Sequence, residues 1–200
     1  MRLAILTAVL LCSVLMVESC GEDAKPAQVA KEPQIDPTGG IAMTITVTSP
    51  AFAAGQAIPV KHTGEGQDVS PALAWSGVPA GAKELALICD DPDAPRPQPW
   101  IHWVIYGLSP TVQGLPEAVS ADPTLAEPKG ALQGKNGSDV TGYHGPMPPK
   151  GHGVHHYYFK LYALDAALGL APGRTKTELL TAMKGHVLAW GELIGTYERK

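Results

Sequence analysis

The sequence predicts a mainly β protein: an antiparallel β-sandwich with one α-helix near the C-terminus. Its 200 residues include 22 Gly and 19 Pro, too many chain-breaking residues for a helical bundle. Short apolar segments recur between turns that contain Gly or Pro, as they do in sandwiches and barrels. One segment near the C-terminus carries helical periodicity instead.

Seven short segments have the character of β-strands. Residues 44–48 alternate between apolar and polar, as a half-buried strand does. Residues 84–89 are apolar on both faces, which predicts a central strand. Pro59 makes residues 58–62 a weaker strand, at an edge or a bulge. The predicted strands are 44–48, 58–62, 72–75, 84–89, 103–106, 157–164 and 193–197.

The helix is predicted from its cap and its apolar stripe. Thr175 and Glu178 have the spacing of a capping box, in which each side chain accepts a hydrogen bond from a backbone N–H of the other. Leu179, Met183 and Val187 then repeat every four residues and predict one buried face. We expect this stripe to pack against a sheet.

The N-terminus has the pattern of an export signal. Arg2 precedes an apolar run over residues 3–17, shorter than the roughly 20 residues that a membrane-spanning helix needs. The run leads into Val-Glu-Ser-Cys20, which resembles a bacterial lipobox, although Glu18 departs from that pattern. We predict a lipoprotein signal peptide over residues 1–19 and a lipid on Cys20. The protein would then lie on the periplasmic or extracellular face of the bacterial cell envelope, or be secreted if Cys20 is not lipidated.

The remaining chain divides into a tether and a domain. Residues 20–42 are polar, contain Pro and lack periodicity, which predicts a flexible tether to a folded domain at 43–200. Cys12 leaves with the signal peptide and Cys20 carries lipid, so a disulfide framework is excluded. Cys89 lies in an apolar strand and is interpreted as a buried core residue.

Charge and motifs exclude several classes of function. The net charge of −4 comes without a Lys/Arg cluster, so no nucleic-acid partner is expected. The chain holds no G-x-S-x-G, P-loop or G-x-G-x-x-G motif. His155 and His156 point to opposite faces of a strand, which suits chelation poorly even with His152 nearby. We therefore expect neither a metal nor a cofactor.

Three loops carry more reactive side chains than connectors need. Residues 90–95 hold three carboxylates and two Pro residues, which make a stiff acidic loop or simply a solvated turn. Residues 142–157 contain four of the seven His residues. Strand alternation places His155 and Tyr157 on one face of the strand that starts there, and His156 on the other.

The third loop runs into a strand at residues 99–103. Period-two alternation places Trp100 and His102 on one side of this strand, with Ile101 and Trp103 on the other. A His beside an aromatic residue is also typical of a hydrogen-bonded core position, so a core role and a site role both remain open.

Six segments, spread over residues 43–197, are specific as a set. They are Asp68-Val-Ser-Pro-Ala-Leu-Ala-Trp75, Asp91-Pro-Asp-Ala-Pro95, Trp100-Ile-His-Trp-Val104, Gly142-Tyr-His-Gly-Pro146, Pro148-Pro-Lys-Gly-His-Gly-Val-His-His-Tyr157 and Glu192-Leu-Ile-Gly-Thr-Tyr197. The set resembles the phosphatidylethanolamine-binding protein family, in its bacterial Raf-kinase-inhibitor-like branch. The resemblance implies a β-sandwich with a C-terminal helix, and a small anion pocket that accepts phosphate-like and phosphoethanolamine groups.

The resemblance also implies the lining of that pocket. The implied residues are Asp91, Trp100, His102, Pro148, His155 and Tyr157. The two imidazoles, the phenol and backbone N–H groups near Gly151 and Gly153 are the expected donors to a phosphate, strongest where a His is protonated. Asp91 is expected to orient a His or to bind an ethanolamine ammonium. His156 stands where the family commonly has Arg, and it should point away from the pocket.

The expected function is that of a binding module for a small phosphorylated or anionic ligand, attached to the membrane through Cys20. A protein partner is a further expectation, because the family includes kinase modulators and protease inhibitors. A hydrolase is the alternative, with Asp91, His102 and His155 as acid and base, although no activated nucleophile is visible. A structural envelope protein with an unused pocket is the remaining alternative.

Overall fold

The structure, a computed structural model, describes residues 35–200. The predicted signal peptide, Cys20 and residues 20–34 of the predicted tether lie outside the described residues. Within 35–200 the elements are β1 (Thr46–Thr48), a 3₁₀ turn (Val60–His62), β2 (Leu73–Ser76), β3 (Glu84–Asp91), β4 (Trp100–Leu108), β5 (Gly114–Leu115), β6 (Leu132–Gln133), β7 (Val154–Leu164), α1 (Lys176–Met183) and β8 (Val187–Glu198). None of the helices in this range is both long and apolar enough to span a bilayer.

The strands form two antiparallel sheets, so the predicted mainly β sandwich is confirmed. The large sheet has the order β6-β4-β3-β7-β8, and the small sheet has the order β1-β2-β5. Every residue of β3 is buried, as expected for the central strand. Its apolar run reflects this position, because both faces of β3 are covered by other elements.

Two hydrophobic cores cover the two faces of the large sheet. The first lies between the sheets and includes Leu87, Trp103 and Phe159. The free thiol of Cys89 is buried in this core, as predicted. The second core packs α1 through Leu179 and Met183 against the outer face of the large sheet. The predicted role of the helical stripe is therefore confirmed for these two residues.

The helix is shorter than its periodicity predicts. The capping box forms: Thr175 Oγ1 accepts from the Glu178 N–H at 3.2 Å, and Glu178 Oε2 accepts from the Thr175 N–H at 2.8 Å. The helix nevertheless ends at Met183, and Val187 begins β8. Gly185 has a φ of 82°, a left-handed conformation that terminates helices. The prediction of a helix that reaches Val187 was wrong, because Val187 pairs with Leu164 of β7 and begins β8 instead.

The predicted strand at 58–62 was also wrong. Residues Val60–His62 form a 3₁₀ turn, closed by a hydrogen bond of 3.0 Å from the Thr63 N–H to the Val60 carbonyl. Pro59 caps this turn with a φ of −58° and has no N–H to offer a sheet. Ile58 still anchors the segment, because it is fully buried and its N–H donates to the Thr196 carbonyl at 2.8 Å.

The described end of the predicted tether contacts the domain. The indole N–H of Trp190 donates to the Ile41 carbonyl at 2.8 Å, and Thr38 is buried. Further along, the N–H groups of Thr44 and Ile45 both donate to the Trp190 carbonyl at 3.0 Å. The chain therefore crosses β8 on its way into β1, and this crossing ties the small sheet to the large one.

Gly191 makes that crossing possible and provides a test of the fold. A Cβ at Gly191 would lie 1.9 Å from the Ile45 carbonyl oxygen, so the backbone would have to shift. We expect Gly191→Ala to lower the free energy of unfolding by about 1–3 kcal/mol, measured by chemical denaturation. Gly81→Ala is the matched control, because its Cβ would meet only Leu188 Cδ1, at 3.6 Å. Equal stabilities of the two variants would contradict the tight crossing.

Candidate functional site

A cavity of about 360 Å³ opens where three strand ends meet. Antiparallel pairing brings the end of β3 against the starts of both β4 and β7, as the pairs Asp91–Trp100 and Asp90–Tyr158 show. The structure places all six residues named from the sequence on the wall of this strand-end cavity: Asp91, Trp100, His102, Pro148, His155 and Tyr157.

A β-bulge aims His102 into the strand-end cavity. The pairing of β3 with β4 shifts between Cys89–Trp103 and Asp90–Ile101, which leaves His102 without an opposite residue. Bulges of this kind redirect side chains at the ends of sheets. Trp100 and His102 share the cavity side, as predicted. Ile101 and Trp103 were predicted to share the other side, but they pack into different cores because the bulge breaks the alternation.

Asp91 begins a chain of hydrogen bonds that leads outward from the wall. Its Oδ2 accepts from His155 Nδ1 at 2.7 Å, and its Oδ1 accepts from the Asp93 N–H at 2.8 Å. The other ring nitrogen of His155 is bonded to Nδ1 of exposed His152, at 2.7 Å. Both oxygens of Asp91 and both ring nitrogens of His155 therefore have partners within the protein. The expected orienting role of Asp91 fits this geometry, whereas His155 has no free N–H for a ligand.

Two reciprocal hydrogen bonds hold the ring of His102. The His144 N–H donates to the His102 carbonyl at 2.9 Å, and His102 Nδ1 lies 2.5 Å from the His144 carbonyl oxygen. A carbonyl can only accept, so Nδ1 carries the proton and Nε2 presents a lone pair. Burial lowers the pKa of His102 to about 4, so the ring is neutral near pH 7. The protonated His expected to bond most strongly to a phosphate is therefore not the form of His102 near pH 7 in the ligand-free protein.

Three buried polar atoms on the cavity wall lack hydrogen-bond partners. They are His102 Nε2, His144 Nδ1 and the Tyr157 hydroxyl, and they are the complete set of such side-chain atoms in the described part of the chain. Burial raises the pKa of Tyr157 far above its ordinary value, so the phenol keeps its proton. Buried polar groups nearly always have hydrogen-bond partners in native proteins, so three unpartnered atoms around one cavity need an explanation.

Arg96 supplies the cavity with a permanent positive charge. It is the one Lys or Arg among the described residues that line the cavity, and its guanidinium lies 4.3 Å from the centre of the Trp100 ring. The sequence analysis missed both Arg96 and His144. Arg96 directly follows the stiff acidic loop, and His144 lies in the His-rich segment, so their positions were visible although their orientation was not.

The predicted backbone donors do not lie on the wall. Gly151 and Gly153 are outside the cavity lining, and the Gly151 N–H donates to the Arg199 carbonyl at 3.3 Å. Gly145 lines the cavity instead. His156 points away from the cavity, as expected: its backbone N–H and its Nδ1 both bond to Asp93 Oδ2, at 2.9 and 2.7 Å.

The buried state of His102 can be tested by titration. Because the pKa of about 4 in the folded protein is below the ordinary 6.5, the unfolded chain binds more protons between these values. The unfolding free energy therefore falls as the pH drops from about 6.5 to 4, by up to about 3 kcal/mol from this residue. In an NMR titration we expect the His102 ring signal, assigned by its loss in His102→Gln, to stay constant from pH 8 to 5.5. A midpoint near 6.5 would contradict the burial argument.

Comparison with known proteins finds relatives that match most of this chain. The family model described as phosphatidylethanolamine-binding protein matches residues 48–198. A UPF0098 protein from Methanothermobacter thermautotrophicus is 52% identical over 142 residues, which are 71% of this chain and 91% of that protein. A UPF0098 protein from Chlamydia trachomatis is 44% identical over 157 residues, which are 76% of this chain and 98% of that protein.

Solved structures agree with these relatives. The crystal structure of a putative phosphatidylethanolamine-binding protein homologue from Chlamydia trachomatis is 42% identical with a TM-score of 0.71, over 80% of this chain and all of that one. YbcL from E. coli, described as a member of the mammalian PEBP family, is 35% identical with a TM-score of 0.73, over 78% of this chain and 99% of that one. The chain therefore belongs to the phosphatidylethanolamine-binding protein family.

Proposed function

We propose that this protein is an exported, lipid-anchored binding protein that holds a phosphate or phosphoethanolamine-like group in the strand-end cavity. The observation that carries the proposal is the set of unpartnered polar atoms on His102, His144 and Tyr157, beside the charge of Arg96. A bound phosphate could accept from the Tyr157 hydroxyl and, through a protonated oxygen, donate to His102 Nε2.

The charge and size of the cavity support a small anion. A phosphate monoester carries about −1.5 to −2 charges near pH 7. Arg96 is the matching cation, and guanidinium–phosphate hydrogen bonds are about twice as strong as neutral ones. The volume of about 360 Å³ is at the small end of the range for ligand sites, so a head group fits better than a whole lipid.

The contacts of Asp91 and Trp100 bear on which part of phosphoethanolamine is held. Both oxygens of Asp91 are already used by His155 and Asp93, and the Trp100 ring is already covered by Arg96. An ethanolamine ammonium would have to share the Asp91 oxygens with these two donors, since each carboxylate oxygen can accept a second hydrogen bond. The phosphate group is accordingly the part of the ligand that the proposal rests on.

The hydrolase alternative gains no support from the family or from the solved relatives. A protein partner remains a prediction, as does attachment to the bacterial cell envelope through Cys20. These proposals rest on the export pattern of residues 1–19 and on the resemblance given above.

Tyr157→Phe separates a ligand-binding role of the hydroxyl from a structural one. Because this hydroxyl has no partner, its removal should leave the unfolding free energy of the free protein unchanged or raise it. Binding of phosphoethanolamine, measured by calorimetry, should weaken about two- to tenfold. The matched control is Tyr143→Phe, whose hydroxyl donates to the His62 carbonyl at 2.8 Å. That variant should lose about 1 kcal/mol of stability.

Two outcomes would contradict the proposed site. If Tyr157→Phe destabilises the free protein as much as Tyr143→Phe and binds phosphoethanolamine unchanged, the hydroxyl has a structural partner and the proposed site is wrong. If the wild-type protein binds no phosphate compound at all, the proposed function fails.

Lipid attachment is tested by Cys20→Ser in the full chain. We expect the wild-type protein to incorporate labelled palmitate in a bacterial host and to fractionate with membranes. The variant should lose the label and appear in the soluble fraction, because a stable anchor needs the buried acyl chains. Cys89→Ser is the control, since that thiol is buried in the core and should not affect labelling. Labelling of the Cys20→Ser variant would contradict the anchor.

A further inference from the structure

We propose that the strand-end cavity selects a singly protonated oxyanion, whose O–H donates to Nε2 of His102. This inference rests on the proposed function and deepens it, because it specifies the protonation state of the phosphate group that is bound. The cavity would accept a phosphate monoester as its monoanion and would discriminate against oxyanions that lack a proton, such as sulfate.

The tautomer of His102 decides which of its ring nitrogens can accept a hydrogen bond. The His144 carbonyl oxygen lies 2.5 Å from Nδ1 and can only accept, so the neutral ring has its proton on Nδ1. The reverse bond, from the His144 N–H to the His102 carbonyl, holds the two residues together. Nε2 is therefore an acceptor, it is buried, and nothing in residues 35–200 donates to it.

The surroundings of His102 keep it from simply taking up a proton. The imidazole is 3% exposed, and burial is the dominant cause that disfavours its charged form. The Tyr157 ring packs against it in a T-shaped arrangement with centroids 5.0 Å apart, and the ring of His144 lies nearly parallel to it at 6.5 Å. The charged or titratable groups on the cavity wall around His102 are Asp91 from β3, His155 and Tyr157 from β7, His144 from its loop, and Arg96, and Asp90 of β3 acts on His102 through its charge.

The carboxylates in that set do not offset the burial of His102. Asp91 is engaged by His155 and by the Asp93 N–H. Asp90 lies on the other side of the sheet, where it pairs with Lys160 and Lys176. No carboxylate of the described residues bonds to His102 Nε2, and the neutral ring is the form that meets the ligand.

The pattern of donors and acceptors then determines which ligand fits. Arg96 and the Tyr157 hydroxyl can donate to anionic oxygens, and His144 Nδ1 can do so when it carries the ring proton. His102 Nε2 needs a donor in return. A phosphate dianion or a sulfate has acceptors only, so one of its oxygens would face the lone pair of Nε2. A monoanion has one O–H and satisfies every group, and sites built around a buried polar group strongly reject analogues that cannot pair with it.

The test compares two probes across pH with the mature protein. Dissociation constants for phosphoethanolamine and for inorganic sulfate are measured by calorimetry between pH 5 and 8 at constant ionic strength, and methyl phosphate, a monoester without an ammonium, is the control for donation to Nε2 by the ammonium. We expect the phosphoethanolamine constant to rise about tenfold per pH unit above its second pKa of about 6. Sulfate should bind at least about tenfold more weakly than phosphoethanolamine at pH 5.5, which corresponds to about 1.4 kcal/mol.

Three other outcomes are possible, and each overturns either the selection of the monoanion or the proposed function. Equal binding of sulfate, with uptake of one proton, would mean that His102 becomes charged in the complex. A pH-independent constant for phosphoethanolamine would show that the dianion is accepted. Either result overturns the selection while leaving the proposed anion site in place. Absence of binding by both probes overturns the proposed function itself.

A variant pair adds a second readout. In His102→Gln an amide can rotate its NH₂ toward the cavity, so we expect sulfate binding to approach that of phosphoethanolamine and the pH dependence to flatten. His186→Gln is the control, because His186 is exposed and pairs with Asp165. If His102→Gln does not fold, the comparison of the two probes on the wild-type protein still decides the question.

Discussion

The antiparallel pairing of β3 with both β4 and β7 is the constraint on which the site depends. Antiparallel neighbours bring the end of one strand against the starts of the next two, so Asp91 meets Trp100 on one side and the His155–Tyr157 segment on the other. Residues far apart in the chain thereby share one cavity. The fully buried β3 holds this arrangement from both faces, through the sandwich core and through the core beneath α1.

The electrostatic character of the cavity depends on which polar groups of its wall already have hydrogen-bond partners. Asp91 and His155 bond to each other and to neighbouring residues, so His155 has no free N–H to offer a ligand. His102 has one bonded ring nitrogen and one without a partner, because its Nδ1–H donates to the His144 carbonyl. The result is a neutral acceptor beside the donors Tyr157 and Arg96. Such a mixed arrangement recognises the position of a proton as well as the sign of a charge.

Much of this architecture was accessible from the sequence, for identifiable reasons. The apolar run at 84–89 predicted the central strand, and the Thr175–Glu178 capping box predicted the start of α1. The six residues on the cavity wall came from the family resemblance rather than from periodicity. Local sequence patterns gave wrong predictions where strand pairing decided the structure. Val187 fits the helical repeat, but it pairs with Leu164 of β7. The orientation of His102 and Trp103 depends on a bulge that a two-residue period does not reveal.

We propose that the unpartnered atoms of His102 and Tyr157 form the binding surface for a phosphate group. A crystal of the mature protein soaked with phosphoethanolamine tests this directly. We expect phosphate density in the strand-end cavity, with an oxygen within about 2.7–3.2 Å of His102 Nε2 and another within reach of the Tyr157 hydroxyl. Phosphate bound elsewhere, or a cavity closed by side chains with these two atoms paired inside the protein, would contradict it.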